Sequence, residues 1–123
     1  MYNIKGERTM TNMIDIPTIG EVLQEEFLEP LNLSQNALAL AIGVPSNRIN
    51  GIVNGSRGMT ADTDLRLTKY FGLSEGYFLR IQEQLDIANA KKKIGTQLDN
   101  IIPLDAYRKK KQQEELEEEL LQG

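Results

Sequence analysis

The chain has 123 residues, 40% hydrophobic and 26% charged, a length that suits one compact domain with a tail. It contains neither cysteine nor histidine, which excludes disulfides, a thiol nucleophile and thiolate metal sites, and removes the commonest general base and metal ligand. The net charge of −4 argues against a nucleic-acid partner only if charge is spread evenly. No apolar run resembles a signal peptide or approaches the roughly 18 residues of a membrane span, so the expectation is a cytoplasmic protein. An aromatic share of 6% with no tryptophan predicts a mainly aliphatic core.

Residues 1–17 lack helical periodicity and read as a flexible arm. Thr18 followed by Glu21 is a capping-box pattern, and Ile19, Val22, Leu23 and Phe27 then recur on one helical face until Pro30 ends the run. Ser34 caps a second helix reaching Ile42, with Leu38, Ala41 and Ile42 inward and Gly43 suited to a left-handed stop. Pro45 and Ser46 open a short third helix with an apolar stripe of Ile49, Ile52 and Val53, closed by Asn54-Gly55. Thr60 caps a fourth, carrying Leu65, Leu67, Tyr70 and Phe71 before Gly72. Ser74 caps a fifth, with Tyr77, Phe78, Ile81, Leu85 and Ala88 on one side. No stretch alternates with the period of a strand, so the fold class is all-α. Beyond about Ala90 the pattern weakens at Gly95. The ending KKKQQEELEEELLQG has helix propensity but little apolar content, which suits a frayed or partner-stabilised helix. The domain plan is therefore an arm over 1–17, a helical domain over 18–90 and a charged tail over 91–123.

The strongest functional signal is SQNALALAIGVPSNRINGIVNG, residues 34–55. Two helices crossing at a tight turn need a small residue at the contact, a positive-φ residue in the turn and apolar residues at fixed offsets. Ala39 and Gly43 meet the first two needs, and Leu38, Ile42, Val44, Ile49 and Ile52 the third. That leaves Ser46, Asn47, Arg48, Asn50, Gly51 and Asn54 on the solvent side of the second helix of the pair, short and mostly hydrogen-bonding, as a surface against base edges requires. Three Asn and a Gly on one short helix lower its propensity and call for a reason beyond solvation. Charge is also segregated. Acidic residues crowd Glu21, Glu25, Glu26 and Glu29 and again Glu114 to Glu119, whereas residues 43–72 carry Arg48, Arg57, Arg66 and Lys69 against Asp62 and Asp64.

The blocks GEVLQEEFLEPLNLSQNALALAIGVP, RINGIVNGSRGMTADTDLRLTKYFG and SEGYFLRIQEQLDIANA resemble the Xre/lambda-repressor-like helix-turn-helix proteins, and among them the HigA-type antitoxins, or plasmid-maintenance antidote proteins. The resemblance implies a five-helix domain that dimerises, represses its own operon and neutralises a HigB-like toxin that cleaves messenger RNA. It also implies that Gln35 contacts phosphate or base, that Ser46, Asn47, Arg48 and Asn50 form the recognition face, and that Arg57 contacts the backbone. Gln35 has the alternative of serving its own helix, and Arg57 of being an ordinary surface arginine. The arm and the tail fall outside the resemblance.

Ile81, Leu85 and Ala88 are candidates for a homodimer contact, with Phe78 kept for the core. Glu21, Glu25 and Glu29 form an i, i+4 row, either solvated surface or a strip for a basic toxin. The GSRG at Gly55–Gly58 is neither a KH loop, which needs strands, nor a phosphate loop, which needs a following Lys-Ser/Thr. No catalytic residue, metal-ligand set or cofactor motif is identified. The expected function is a dimeric repressor of a double-stranded DNA operator that doubles as an antitoxin. The alternatives are a stand-alone phage-type or Xre-family regulator without a toxin, and a protein-interaction module that no longer binds DNA.

Overall fold

The computed structural model describes residues 15–122, and every regular element among them is helical. The arm expected over 1–17 lies outside the described residues as far as residue 14. The chain divides into two units between Ala90 and Lys91. Among the described residues no helix is long and apolar enough to cross a membrane.

Helix α1 (Ile19–Val22) begins on the expected capping box: the Glu21 backbone N–H donates to Thr18 Oγ1 and the Thr18 N–H donates to Glu21 Oε1, both at 3.0 Å. It runs on into a π-helical segment, Leu23–Leu28, in which the N–H of Glu29 reaches the carbonyl of Gln24 at 2.9 Å. The wider turn brings Leu28 under Leu23 at a five-residue spacing, so both are fully buried. A strict α-helical stripe ending at Phe27 misses Leu28.

Helices α2 (Gln35–Ile42) and α3 (Ser46–Asn54) follow, then α4 (Ala61–Phe71) and α5 (Tyr77–Ile94). Ser34 and Thr60 cap α2 and α4 with side-chain oxygens, while Gly43 and Gly72 end those helices at φ 73° and 72°. The α2 stripe differs by one turn position from expectation. Ala39, the crossing residue, is buried, whereas Ala41 is exposed. On α4 the inward face is Thr63, Asp64, Leu67 and Thr68, and Leu65 and Tyr70 face solvent.

The core gathers Leu23, Leu28, Leu38, Ile42, Ile49, Ile52, Met59, Leu67 and Phe78. It is not purely aliphatic. The few aromatics are concentrated: Phe27 lies 5.0 Å from Phe71 and 5.1 Å from Phe78 between ring centroids, with Tyr77 edge-on to both Phe27 and Phe78. Met59, in the α3–α4 connection, is fixed by Gln82 of α5. The Met59 N–H donates to Gln82 Oε1 at 2.6 Å, and Gln82 Nε2 donates to the Met59 carbonyl at 3.0 Å.

The start of α5 is capped from a distance. The local pattern points to Ser74 as the cap, but its hydroxyl accepts from the Arg80 guanidinium. The buried carboxylate of Asp64 instead accepts from the N–H groups of Gly76, Phe78 and Leu79 at 2.7, 2.8 and 3.1 Å. A carboxylate there satisfies orphan donors and complements the helix dipole.

In the second unit a 3-10 turn, Gly95–Asn100, precedes helix α6 (Leu104–Gln122). No residue of the turn or of α6 is buried.

Candidate nucleic-acid interface

Three supports hold α3 in place. At the turn, Gly43 reverses the chain, and the Val44 N–H closes on the Ala39 carbonyl at 3.0 Å. Beneath, Ile49 and Ile52 are fully buried. Behind, α1 comes within backbone contact: a Cβ on Gly20 would lie 2.7 Å from the Val53 carbonyl oxygen and 2.8 Å from its Cα, and nearer still to the Ile52 carbonyl. Gly20 is a residue that periodicity passed over. Its signal was a glycine inside an otherwise well-formed helix.

The outward face carries most of the expected side chains. Ser46 and Asn47 are exposed at the first turn of α3, whose preceding Pro45 provides no side-chain cap. Asn54 is exposed at its end, with Oδ1 accepting from the Ser56 N–H at 2.9 Å. Gly51 does not belong to this face. It is buried under the Arg57 side chain, where an added Cβ would meet Arg57 Cβ at 3.2 Å and Nε at 3.4 Å. The bare glycine therefore lets the Arg57 stem lie against α3, and Arg57 itself is exposed.

Gln35 joins the face through an amide relay. Asn50 Nδ2 donates to Gln35 Oε1, and Gln35 Nε2 donates to Gln24 Oε1 at 3.2 Å. Gln35 thus ties the first, second and third helices together and does not cap its own helix, a role that Ser34 fills. Asn50 keeps one N–H and its Oδ1 outside this relay, the donor and acceptor that reading an adenine edge requires.

Arg48 is half-buried and paired with Asp62 of α4 at 2.8 Å. The same Asp62 oxygen takes Arg66 Nε at 2.8 Å, and Arg66 Nη1 reaches the Ile42 carbonyl at the end of α2 at 2.8 Å. The Asp62 carboxyl is held below its ordinary pKa, first by the Arg66 hydrogen bond.

The remaining candidates lie elsewhere. Leu85 is only 8% exposed, within its own protomer, and Ile81 and Ala88 are half-buried, while Ile87 on the same helix is 49% exposed. Glu21 is committed to the α1 cap, Glu25 is half-buried and Glu29 is exposed.

Residues 25–78 match the helix-turn-helix family. The chain is 47% identical over 79 residues to virulence-associated protein I of Dichelobacter nodosus, covering 63% of this chain and 73% of that protein. The Pseudomonas aeruginosa antitoxin HigA, solved with the higBA promoter, is similar with a TM-score of 0.66 and 35% identity, over 73% of this chain and 99% of that one. The chain belongs to the HigA-type branch of the helix-turn-helix family. PA4674 of P. aeruginosa, solved in complex with its 28-bp operator DNA, is similar at a TM-score of 0.67 and 35% identity, across 73% of this chain and all of that one. The family consists of DNA-binding transcriptional regulators, and the five-helix lambda-repressor-like arrangement of this HigA-type chain is the one the sequence blocks implied.

Proposed function

We propose that this HigA-type protein is a homodimeric repressor that binds an operator with α3 in the major groove, and that it serves as the antitoxin of an RNA-cleaving, HigB-like toxin. The observation that carries the DNA-binding part is the α3 face, where Asn50 is held by Gln35 and flanked by exposed Ser46, Asn47 and Asn54. Arg57, with Gln35 and Arg48 at the margin, is assigned to phosphate contact. Likeness to antitoxin HigA over nearly its whole length supports the antitoxin part. The dimer contact is assigned to the outer surfaces of Ile81 and Ala88 together with exposed Ile87, with Leu85 supporting them from within. Toxin contact is assigned to Glu25 and Glu29, beside the Glu21 cap.

The test is a gel-shift titration on the chain's own upstream region at two salt concentrations. Asn50→Ala lowers operator affinity by about 1–3 kcal/mol and relaxes preference at one base pair. Arg57→Ala weakens binding to every sequence alike and flattens the salt dependence. Unchanged affinity in the Asn50 variant would remove the base-reading role. Co-expression with the adjacent reading frame tests the antitoxin part. A small basic protein that arrests growth alone and co-purifies with this chain supports it, and a neighbour with neither property leaves a stand-alone regulator.

A further inference from the structure

Residues 55–60 join α3 to α4 and carry Arg57. Ser56, Arg57 and Gly58 are exposed, whereas Met59 is 5% exposed and belongs to the core. The near end of the loop is held by α3 itself: the Arg57 N–H donates to the Gly51 carbonyl at 3.1 Å, and the Ser56 N–H to Asn54 Oδ1 at 2.9 Å. The far end is held by a different helix. The N–H and the carbonyl of Met59 both pair with the side-chain amide of Gln82, on α5, at 2.6 and 3.0 Å.

Burial of the Met59 side chain anchors the loop without orienting it, because the peptide units on either side can still turn about that anchor. Both main-chain groups of a buried residue also need partners, a donor and an acceptor together. Glutamine presents the two from one rigid plane, whereas glutamate lacks the donor and lysine the acceptor. The Gln82 amide therefore fixes the two peptides that flank Met59. Arg57 stands between this pin and the one at Gly51, so the direction in which its side chain leaves the surface is set from both ends. Gly58 completes the fit. Its φ is not in the left-handed region, yet a Cβ there would lie 3.1 Å from Gln82 Oε1, so the missing side chain makes room for the amide. A loop held in place before DNA arrives loses little further conformational entropy on binding. We propose that Gln82 is a positioning residue for DNA binding, which acts through the Met59 peptides to aim Arg57 at the phosphate backbone. The inference rests on the assignment of Arg57 to phosphate contact made above.

Gel shifts of the full-length chain on the operator and on an unrelated duplex test this role. They are run over a range of salt, at a temperature where circular dichroism shows each variant folded. Gln82→Ala lowers affinity for both duplexes alike by ~3–10-fold and reduces the fall of log K with log salt by up to about 0.9, the share of one phosphate. The Gln82→Ala/Arg57→Ala double variant binds within ~2-fold of Arg57→Ala alone, since no guanidinium remains to be aimed. A glutamine that only supports the fold would lower the unfolding midpoint, leave the salt slope of the folded chain unchanged and add its loss to that of Arg57. Gly58→Ala crowds the same amide from the loop side and keeps the test open if Gln82→Ala does not fold. It weakens binding to both duplexes and adds nothing in the Arg57→Ala background. Additive losses would overturn the proposal, as would an unaltered salt slope in a folded Gln82 variant when Arg57→Ala flattens it. An unaltered slope in Arg57→Ala itself would overturn it from the other side, by removing the phosphate contact on which it rests.

Discussion

Asp64 is the side chain on which α5 most depends. It is 1% exposed and accepts three backbone N–H groups from the first turn of a helix twelve or more residues away. Asp64→Ala would leave those donors buried without acceptors, at a cost of about 2–4 kcal/mol, read as a lowered urea midpoint. Asp64→Asn preserves shape and one acceptor oxygen and loses less. Glu26 stands in the opposite situation. Its Oε2 is buried without a hydrogen-bond partner among the described residues, and its pKa is raised, first by loss of water and then by Glu25. A carboxyl whose folded pKa is raised binds protons more readily in the native state, so its charge costs stability above that pKa. The cost disappears as pH falls through the ordinary carboxylate range. Glu26→Gln is therefore expected to raise the melting temperature at neutral pH, with the gain vanishing in acid. A constant gain at all pH values would show that charge is not the cause.

Among the elements, the approach of α1 to α3 decides where the proposed recognition face sits. Gly20 allows the α1 backbone to touch the last turn of α3, and a methyl group there meets main-chain atoms that cannot rotate away. Gly20→Ala is expected to destabilise the fold by roughly 1–3 kcal/mol and to shift α3, so operator affinity falls although no contact residue has changed. Thermal unfolding and the gel shift separate the two effects, and native values in both would exclude the tight crossing. The same elements show what the sequence makes legible. Thr18 with Glu21, Ser34, Gly43, Thr60 and Gly72 act on their own neighbours, and local pattern found them all. Leu28, Met59, Gly20 and the Asp64 cap were hidden because each depends on a π turn or on a residue from another helix. The site was legible to the same degree. The polar face of α3 follows from its period, but the burial of Gly51 depends on Arg57 folding back over it, and the Arg48–Asp62 pair spans fourteen residues. Placing Leu85 inside its own protomer likewise required the packing of α5.

At the scale of the whole molecule the question is how a chain of net charge −4 approaches a polyanion. Such a chain gains little from non-specific attraction, so phosphate contact rests on a few local cations. Two of the four between residues 43 and 72, Arg48 and Arg66, are tied to the single carboxylate of Asp62. Arg66 also supports the end of α2, whereas Arg48 projects from α3 and loses only an ion-pair partner if Asp62 is neutralised. Asp62→Asn removes one negative charge from the edge of the interface and frees Arg48 for phosphate. Affinity for operator and for unrelated DNA should both rise several-fold, and the fall of log K with log salt should steepen by about one contact. Folding should change little at neutral pH, since Asp62 is exposed and both ion pairs are open to solvent on its side. The small stabilising effect that Asp62 does have should be present at neutral pH and lost as pH falls through its lowered pKa, a dependence the Asn variant lacks. Weaker binding in the variant would reverse the interpretation: Asp62 would then aim Arg48 at the DNA, and the ion pair would be part of the recognition surface rather than a restraint on it.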